Sequence, residues 1–214
     1  MKIINPSVEI LTPIDGDWVL KHIERCGRVA YKSQDKIAAG SAEKLIRHFI
    51  KLGHESVLEH FSFTVKFTVD RGISHEIVRH RMASYTQEST RYCNYSIDKF
   101  GNEITVIRPC FFEPGDAVYD EWVLACYKAE AGYFKLLELG AKPEQARAVL
   151  PNSLKTELVM TANLREWRHF LKLRTAKDAH PQIREVALML LDKLHDAIPV
   201  VFDDIYEKLH AVSE

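Results

Sequence analysis

The amino-acid sequence predicts an α+β fold with more helix than strand, and three patterns predict it. Apolar and polar residues alternate from Phe61 to Val69, which is the period of a half-buried strand. A long helical segment runs from about Asp116 to Leu139 and stops at Gly140. Pro181 begins a final long helix. We therefore predict a single domain over residues 1–214, with a mixed or antiparallel sheet flanked by long helices.

The amino-terminal half alternates between strand and helix. We predict a strand from about Lys2 to Leu11 and a helix from about Asp15 to Ala30. Ser41 is predicted to cap the amino end of a second helix, whose apolar residues fall on one stripe. After Gly72 the apolar spacing becomes helical, so the segment from Arg79 to Arg81 lies on or at the end of a short helix.

The carboxyl-terminal half contains shorter strands between helices. Residues Ile104 to Ile107 and Leu154 to Ala162 are predicted strands. A short segment bounded by Pro143 and Pro151 carries Arg147. Glu166 follows Asn163 by three residues, a capping-box pattern that begins the next helix.

Composition excludes several classes of protein. The 214 residues are 46% hydrophobic and 28% charged, which is typical of a globular protein, and the net charge of -1 disfavours a dedicated nucleic-acid binder. No stretch approaches the ~20 apolar residues of a membrane helix, and no signal peptide is expected. The cysteines are scattered without a Cys-x-x-Cys pair, which predicts a cytoplasmic protein with reduced thiols. They are Cys26, Cys93, Cys110 and Cys126.

The segment from Arg79 to Tyr92 is the densest in functional groups. It combines three arginines and an imidazole with several hydroxyls. The planar, permanently charged fork of arginine suits phosphate or a pyrimidine imide anion. The alternative is a solvated charged helix end.

Two further clusters contain histidines or arginines. Residues His54 to His60 hold histidines and carboxylates, but Leu58 stands where the zinc-protease motif needs histidine, so no metal is expected. On the last predicted strand-to-helix segment, Arg165, His169 and Arg174 lie off the apolar stripe. The alternative for each is an exposed cation, which the helix dipole favours for Arg174.

The chain has no Gly-x-Ser-x-Gly elbow, Gly-x-Gly-x-x-Gly fingerprint or P-loop. Any nucleotide or flavin is therefore held in a non-Rossmann site made of arginines, polar side chains and backbone donors.

Arg79-His80-Arg81, followed after seven residues by Ser89, resembles the Arg-His-Arg-x7-Ser signature of the flavin-dependent thymidylate synthases, the ThyX family. Segments along the rest of the chain extend the resemblance: His54-Glu55-Ser56, Ser89-x-Arg91-Tyr92, Ala146-Arg147, Asn163-x-Arg165 and Leu173-Arg174.

The resemblance implies a ThyX-like fold, a homotetramer with active sites shared between subunits, and a reaction. In that reaction FAD is reduced by NADPH, and methylenetetrahydrofolate supplies a carbon to C5 of deoxyuridine monophosphate (dUMP). The products are thymidylate and tetrahydrofolate.

The resemblance also assigns residues to two ligands. The residues implied for FAD are His54, Ser56, Arg79, His80, Arg81, Gln87, Asn163, Arg165 and His169. Those implied for dUMP are Glu76, Arg79, Gln87, Glu88, Ser89, Thr90, Arg91, Arg147 and Arg174, with Arg147 reaching in from another chain. Arg174 is the implied catalytic residue, because a guanidinium at the uracil imide stabilises its N3-deprotonated form.

Three positions depart from the commonest family pattern. Glu76 stands where glutamine is frequent, Gln87 where an acidic residue is frequent, and His169 where asparagine is frequent.

Two other functions stay open. One is a nucleic-acid-binding module that uses residues 79–95 for stacking and phosphate contacts. The other is an enzyme of the same fold that acts on a different pyrimidine nucleotide.

Overall fold

The computed structural model describes residues 1–97 and 101–211, which fold into two compact units. The first unit consists of Met1–Ser7, Lys66–Arg79 and Tyr85–Val159. The second consists of Val8–Val65, His80–Ser84 and the described part of Met160–Glu214. Helices surround an antiparallel sheet, which confirms the predicted α+β class. The prediction of one domain over residues 1–214 stays a prediction.

Strands and helices are interspersed along the described chain. The strands are β1 (Lys2–Ile4), β2 (Ser7–Ile10), β3 (Ser62–Asp70), β4 (Ala83–Gln87), β5 (Thr105–Ile107) and β6 (Lys155–Asn163). The helices are α1 (Gly16–Arg28), α2 (Ser41–Lys51), α3 (Arg71–Ile77), α4 (Ala117–Glu138), α5 (Pro143–Ala146), α6 (Leu164–Arg174), α7 (Pro181–Ala197) and α8 (Pro199–His210). Within residues 1–97 and 101–211, none of the helices has the length and apolar composition to cross a membrane.

The strands form two sheets. One has four strands in the order β2-β3-β6-β4, and the other pairs β1 with β5 in parallel, with Lys2 opposite Thr105. The single strand predicted from Lys2 to Leu11 is therefore wrong. Pro6 separates β1 from β2, and proline has no amide hydrogen with which to continue a ladder.

Two helix predictions need correction for local reasons. The final helix is divided, because Pro199 cannot donate to the preceding turn and instead begins α8. Gly40, not Ser41, caps α2, since its φ of 72° suits glycine. Ser41 is the first residue of α2, and its hydroxyl accepts a hydrogen bond from the Ala38 amide at 3.0 Å.

The sequence analysis missed strand β4, which contains the middle of the arginine-rich segment. β4 lies at the edge of its sheet, and its residues alternate between partly buried and exposed positions. An edge strand with neither face fully buried has no strong apolar alternation for a sequence pattern to detect.

Each unit has its own core. In the first unit, Tyr95, Val106 and Tyr133 are buried together, and the Tyr95 and Tyr133 rings meet edge to face at 5.8 Å. In the second unit, Trp167 of α6 stacks on Phe63 of β3 with ring centroids 5.0 Å apart. The Trp167 indole N–H also donates to the Phe63 carbonyl at 3.3 Å. The apolar face of α6 is thereby fixed against β3.

A fully buried arginine fixes α6 from its other side. Arg168 is 0% exposed, and its guanidinium donates to Asp204 of α8 at 2.7 and 2.8 Å and to Glu55 at 3.0 Å. It also donates to the Val201 carbonyl. Burial by itself would raise the pKa of Glu55, but Arg168 and Lys172 outweigh that effect and lower it. This charge is buried only because two carboxylates and a carbonyl compensate it.

Replacing Arg168 with methionine should destabilise the protein strongly, because Glu55 and Asp204 would lose a buried partner. The free energy of unfolding, measured by urea denaturation, should fall by ~3–5 kcal/mol. Lys135→Met is the matched control, since Lys135 and Glu138 form an exposed pair worth about 0–1 kcal/mol. Equal losses in the two variants would show that the buried network does not hold α6.

Candidate functional site

Helix α6 and its capping residue Asn163 carry half of the predicted site residues of the second unit. Asn163 caps its amino end, and the side-chain Oδ1 of Asn163 accepts from the Glu166 backbone N–H at 2.9 Å. The capping residue that the sequence predicted is therefore confirmed. With Trp167 and Arg168 buried, the exposed side of the helix presents Arg165 and His169.

A chain of hydrogen bonds joins Arg174, His80 and Glu166. The Arg174 Nε donates to His80 Nε2 at 3.0 Å, and His80 Nδ1 lies 3.1 Å from Glu166 Oε1. The His80 ring is only 5% exposed and packs edge to face on Phe170 at 4.9 Å. Arg174 is thus more than a helix-end cation, because its side chain is held against a buried imidazole.

The charge of His80 is set by competing neighbours. Burial is the largest influence and lowers the pKa of His80, and the Arg174 cation lowers it further. The hydrogen bond to Glu166 opposes them without reversing the net downward shift from 6.5. The imidazole is therefore neutral near pH 7, when it can donate through one nitrogen and accept through the other.

A cavity of about 430 Å³ opens in the second unit beside the hydrogen bonds that join Arg174, His80 and Glu166. It is lined by Glu55, Glu59, Met82, Asn163, Arg165, Glu166, His169 and Lys172. Its cations are already paired, since Arg165 Nη1 lies 2.6 Å from Glu59 and Lys172 Nζ lies 3.0 Å from Glu55. The cavity therefore offers Arg165, which an anionic ligand could take over from the exposed Glu59, and the side-chain amide of Asn163. Lys172 is held by Glu55, which is only partly exposed.

His80, Glu166 and His169 also lie close enough to hold a metal ion, with ligand atoms within 4.8 Å of one another. The Arg174 guanidinium donates to the same imidazole at 3.0 Å. A second cation beside it would be strongly repelled in a partly buried setting. We therefore interpret the cluster as a hydrogen-bonded network.

Neither His54 nor Ser56 is among the residues that line that cavity. His54 lines a separate cavity of about 260 Å³ with Tyr31, His48 and neighbouring residues. Ser56 is exposed at the start of the turn Glu55–His60. Within one chain, the structure does not bring His54 into the cavity that contains Asn163, Arg165 and His169.

The remaining predicted residues lie mainly in the first unit, where Gln87 is held in one orientation. Its amide nitrogen donates to Ser74 Oγ at 2.9 Å and to Thr156 Oγ1 at 3.2 Å. Ser74 Oγ donates to the Arg71 carbonyl at 2.8 Å, so it must accept from Gln87. A glutamate at position 87 could not make these donations, which explains why the neutral amide suits this position.

Arg147 meets the Ser89-to-Arg91 turn in the same chain. Its Nη1 donates to the buried Thr90 hydroxyl at 3.1 Å. Ser89 Oγ accepts from the Arg91 amide at 3.3 Å. The short segment after α5 therefore folds back onto Thr90 within one chain, and the expectation that Arg147 reaches a dUMP site of another chain stays a prediction.

Glu88, which precedes this turn in sequence, contacts two side chains. Its Oε2 lies 2.9 Å from Lys155 Nζ on β6, and its Oε1 accepts from the Tyr95 hydroxyl at 3.5 Å. Burial, followed by the Glu88 charge, raises the pKa of Tyr95, so this hydroxyl stays a donor. Glu88 therefore has two protein partners within its own unit.

The other predicted residues are Glu76, Arg79 and Arg81. Glu76 is partly buried on α3, the helix that also carries Ser74. Arg79 follows α3 in the first unit and is exposed, and Arg81 is exposed in the second unit. Arg79 and Arg81 therefore follow the end of α3 with side chains that are accessible to ligands.

Two of the rings that a nucleic-acid-binding surface over residues 79–95 would use are buried. His80 and Tyr95 are 5% and 6% exposed, so neither ring is accessible for stacking on bases. Tyr92 is exposed, but the Arg91 guanidinium lies 5.5 Å from its ring centroid.

Sequence reasoning missed the residues that orient the predicted ones. Glu166 was identified only as part of a helix cap, yet its carboxylate contacts His80. Ser74 and Lys155 showed no signal beyond their place on predicted elements. Their partners are distant in sequence, and only the folded chain brings these pairs together.

Comparisons with known proteins agree on one family. A family model described as "Thymidylate synthase complementing protein" matches residues 18–200. A flavin-dependent thymidylate synthase of Mycolicibacterium vanbaalenii is 36% identical over 217 residues, covering 93% of this chain and 84% of the relative. One of Pyrococcus furiosus is 35% identical over 171 residues, covering 78% and 68%.

A solved structure shows the same architecture. It is a UMP/dUMP methylase, PolB from Streptomyces cacaoi, bound with 5-Br dUMP. The two chains are 27% identical, with a TM-score of 0.77 over 95% of this chain and 96% of the other.

Proposed function

Because the chain belongs to the family of flavin-dependent thymidylate synthases, we propose that it converts dUMP to thymidylate with FAD, NADPH and methylenetetrahydrofolate. NADPH is the reductant, methylenetetrahydrofolate is the carbon donor, and tetrahydrofolate is released. dUMP is proposed because the PolB structure contains a dUMP analogue. The reaction is proposed to take place in the cytoplasm, which the scattered cysteine pattern favours.

The observation that carries the proposal is the placement of Arg174. Its Nε is committed to the buried His80, which fixes the plane of the guanidinium. A fixed, permanently charged fork can stabilise the anionic form of a uracil imide, which makes C5 more electron-rich. This electrostatic activation of dUMP requires no enzyme nucleophile.

The donor set of the second unit fits a flavin nucleotide. Asn163, Arg165 and His169 line one cavity and can donate to phosphate or to ring carbonyls. The Arg165–Glu59 pair is exposed at both ends, so a phosphate can replace Glu59 at little cost. When bound, FAD supplies the redox chemistry of the reaction. The protein's part is to hold the ring and to keep His80 neutral beside it.

The first unit supplies a set of groups that suits the nucleotide substrate. Ser89, Thr90 and Arg91 share one turn, and Arg147 contacts it through the Thr90 hydroxyl. Arginines with hydroxyls are suitable phosphate donors. Gln87 presents its amide oxygen away from Ser74 and Thr156, so it can accept from a sugar hydroxyl. Glu76 and Arg79 complete the proposed set from α3 and the residues after it.

We further propose a homotetramer with active sites shared between subunits. The turn that contains Thr90 and Arg147 belongs to the first unit, and the chain of Arg174, His80 and Glu166 belongs to the second. The proposal is that these two groups serve one site from different chains, with Arg147 on the same chain as Thr90.

The purified protein should contain flavin and turn over dUMP. We expect a yellow protein whose visible absorbance bleaches with NADPH and returns, with thymidylate formation, when methylenetetrahydrofolate and dUMP are added. Deoxycytidine monophosphate is the control nucleotide, and UMP tests the second substrate of the PolB neighbour. A colourless protein that also fails to bind added FAD would exclude this function.

Replacing Arg174 separates catalysis from helix capping. Arg174→Ala should lower kcat by ~100-fold or more if the guanidinium acts on developing negative charge, whereas loss of a helix-end cation costs only a few tenths to about 1 kcal/mol of stability. Arg174→Lys should recover part of the rate, because it keeps the charge but not the planar fork. Steady-state thymidylate formation is measured at saturating substrates with flavin content checked. Wild-type kcat in flavin-loaded Arg174→Ala would remove Arg174 from catalysis.

Mixed subunits test the shared site. Arg147→Ala and Arg174→Ala homotetramers should each be inactive, and mixed tetramers should regain part of the thymidylate synthase activity. The gain is expected because some sites then combine a wild-type Arg147 with a wild-type Arg174. Mixing Arg174→Ala with Arg174→Lys is the control for subunit exchange itself. Mixed tetramers that stay inactive would place both residues in one chain.

A further inference from the structure

Glu166 is placed to control the geometry of Arg174 through the imidazole of His80. We propose that Glu166 is a positioning residue that fixes the tautomer of His80 and thereby holds the Arg174 guanidinium in its catalytic orientation. This inference rests on the proposed function. It concerns a residue that the family resemblance does not assign to either ligand.

The direction of the hydrogen bonds sets the protonation state of His80. An arginine guanidinium can only donate, so His80 Nε2 must accept from Arg174 Nε across the 3.0 Å contact. A neutral imidazole that accepts at Nε2 carries its proton on Nδ1. That Nδ1–H then needs an acceptor, and Glu166 Oε1 lies 3.1 Å away. The three residues therefore fit together in one protonation state.

Burial makes this requirement strict. The His80 side chain is 3% exposed, so water has little access to the imidazole end of the contact, whereas the Glu166 side chain borders the cavity and is 12% exposed. The Phe170 ring, 4.9 Å from the imidazole, restricts its rotation. Without the Glu166 acceptor, the buried Nδ1–H would lose its partner, and the alternative tautomer would direct Nε2–H against the Arg174 N–H. Either change would displace the guanidinium.

A purely structural role for Glu166 makes a different forecast. Glu166 lies in the first turn of α6, where the helix dipole favours a negative charge. Replacing it with either alanine or glutamine removes that charge. Glutamine keeps a carbonyl oxygen that can accept from Nδ1–H, and Arg174 forces that orientation because it cannot accept from Nε2–H. The two variants therefore separate charge at the helix end from the acceptor at His80.

The experiment compares FAD-loaded wild type, Glu166→Ala, Glu166→Gln and the control Glu138→Ala, whose carboxylate is exposed on α4. Glu166→Ala should lower kcat for thymidylate formation by ~10- to 100-fold, the usual cost of losing an orienting partner. The KM for dUMP should change little, Glu166→Gln should retain most of kcat, and Glu138→Ala should match wild type. Wild-type kcat in Glu166→Ala, or a Glu166→Gln variant as slow as Glu166→Ala, would overturn the proposal.

A second measurement does not depend on turnover. In FAD-loaded protein labelled with ¹⁵N-histidine, the His80 resonances, assigned by their loss in His80→Gln, should report a proton on Nδ1 and none on Nε2. A proton on Nε2, or on both nitrogens, would overturn the proposal. If wild type bound no flavin and made no thymidylate, the proposed function would fail, and the same spectra of the unloaded protein would still decide the tautomer.

Discussion

The buried charge of Arg168 is the interaction on which the rest of the second unit depends. Its guanidinium joins α6 to α8 and to the turn that contains Glu55, while Trp167 fixes the adjacent face of α6 on β3. A buried cation tolerates few geometries, because each lost hydrogen bond leaves an uncompensated charge. Helix α6 can therefore neither rotate about its axis nor slide along it. The side chains on its other faces are fixed in position as a result.

Because α6 is rigid, the donor or acceptor role of one side chain determines the role of the next side chain in the network. Arg174 can only donate, so it dictates which nitrogen of His80 accepts, and His80 in turn requires an acceptor at Glu166. The first unit uses the same logic at Gln87, where the Ser74 hydroxyl donates to a backbone carbonyl and so fixes the amide. In both places a neutral side chain is oriented by a neighbour that can act only as a donor or only as an acceptor.

The two departures from the commonest family pattern that concern Gln87 and His169 have different explanations. A carboxylate at position 87 would lack the hydrogens that Ser74 and Thr156 receive, so the surrounding hydroxyls select an amide. His169 is exposed on the cavity wall, with its ring 5.6 Å from that of His80. Its position permits contact with a ligand without disturbing the buried chain. Nothing in the structure explains why glutamate stands at position 76 in place of the frequent glutamine.

The sequence by itself determined the α+β class, most helix positions, the β3 strand and the family, because apolar periodicity, capping residues and the Arg-His-Arg-x7-Ser spacing are local signals. The tertiary structure alone decided what each polar side chain does. Glu166 meets His80 across 86 positions of sequence, and Arg147 meets Thr90 across 57. Such pairings depend on how rigid elements pack and on which buried donors need acceptors, and a linear pattern does not encode either one.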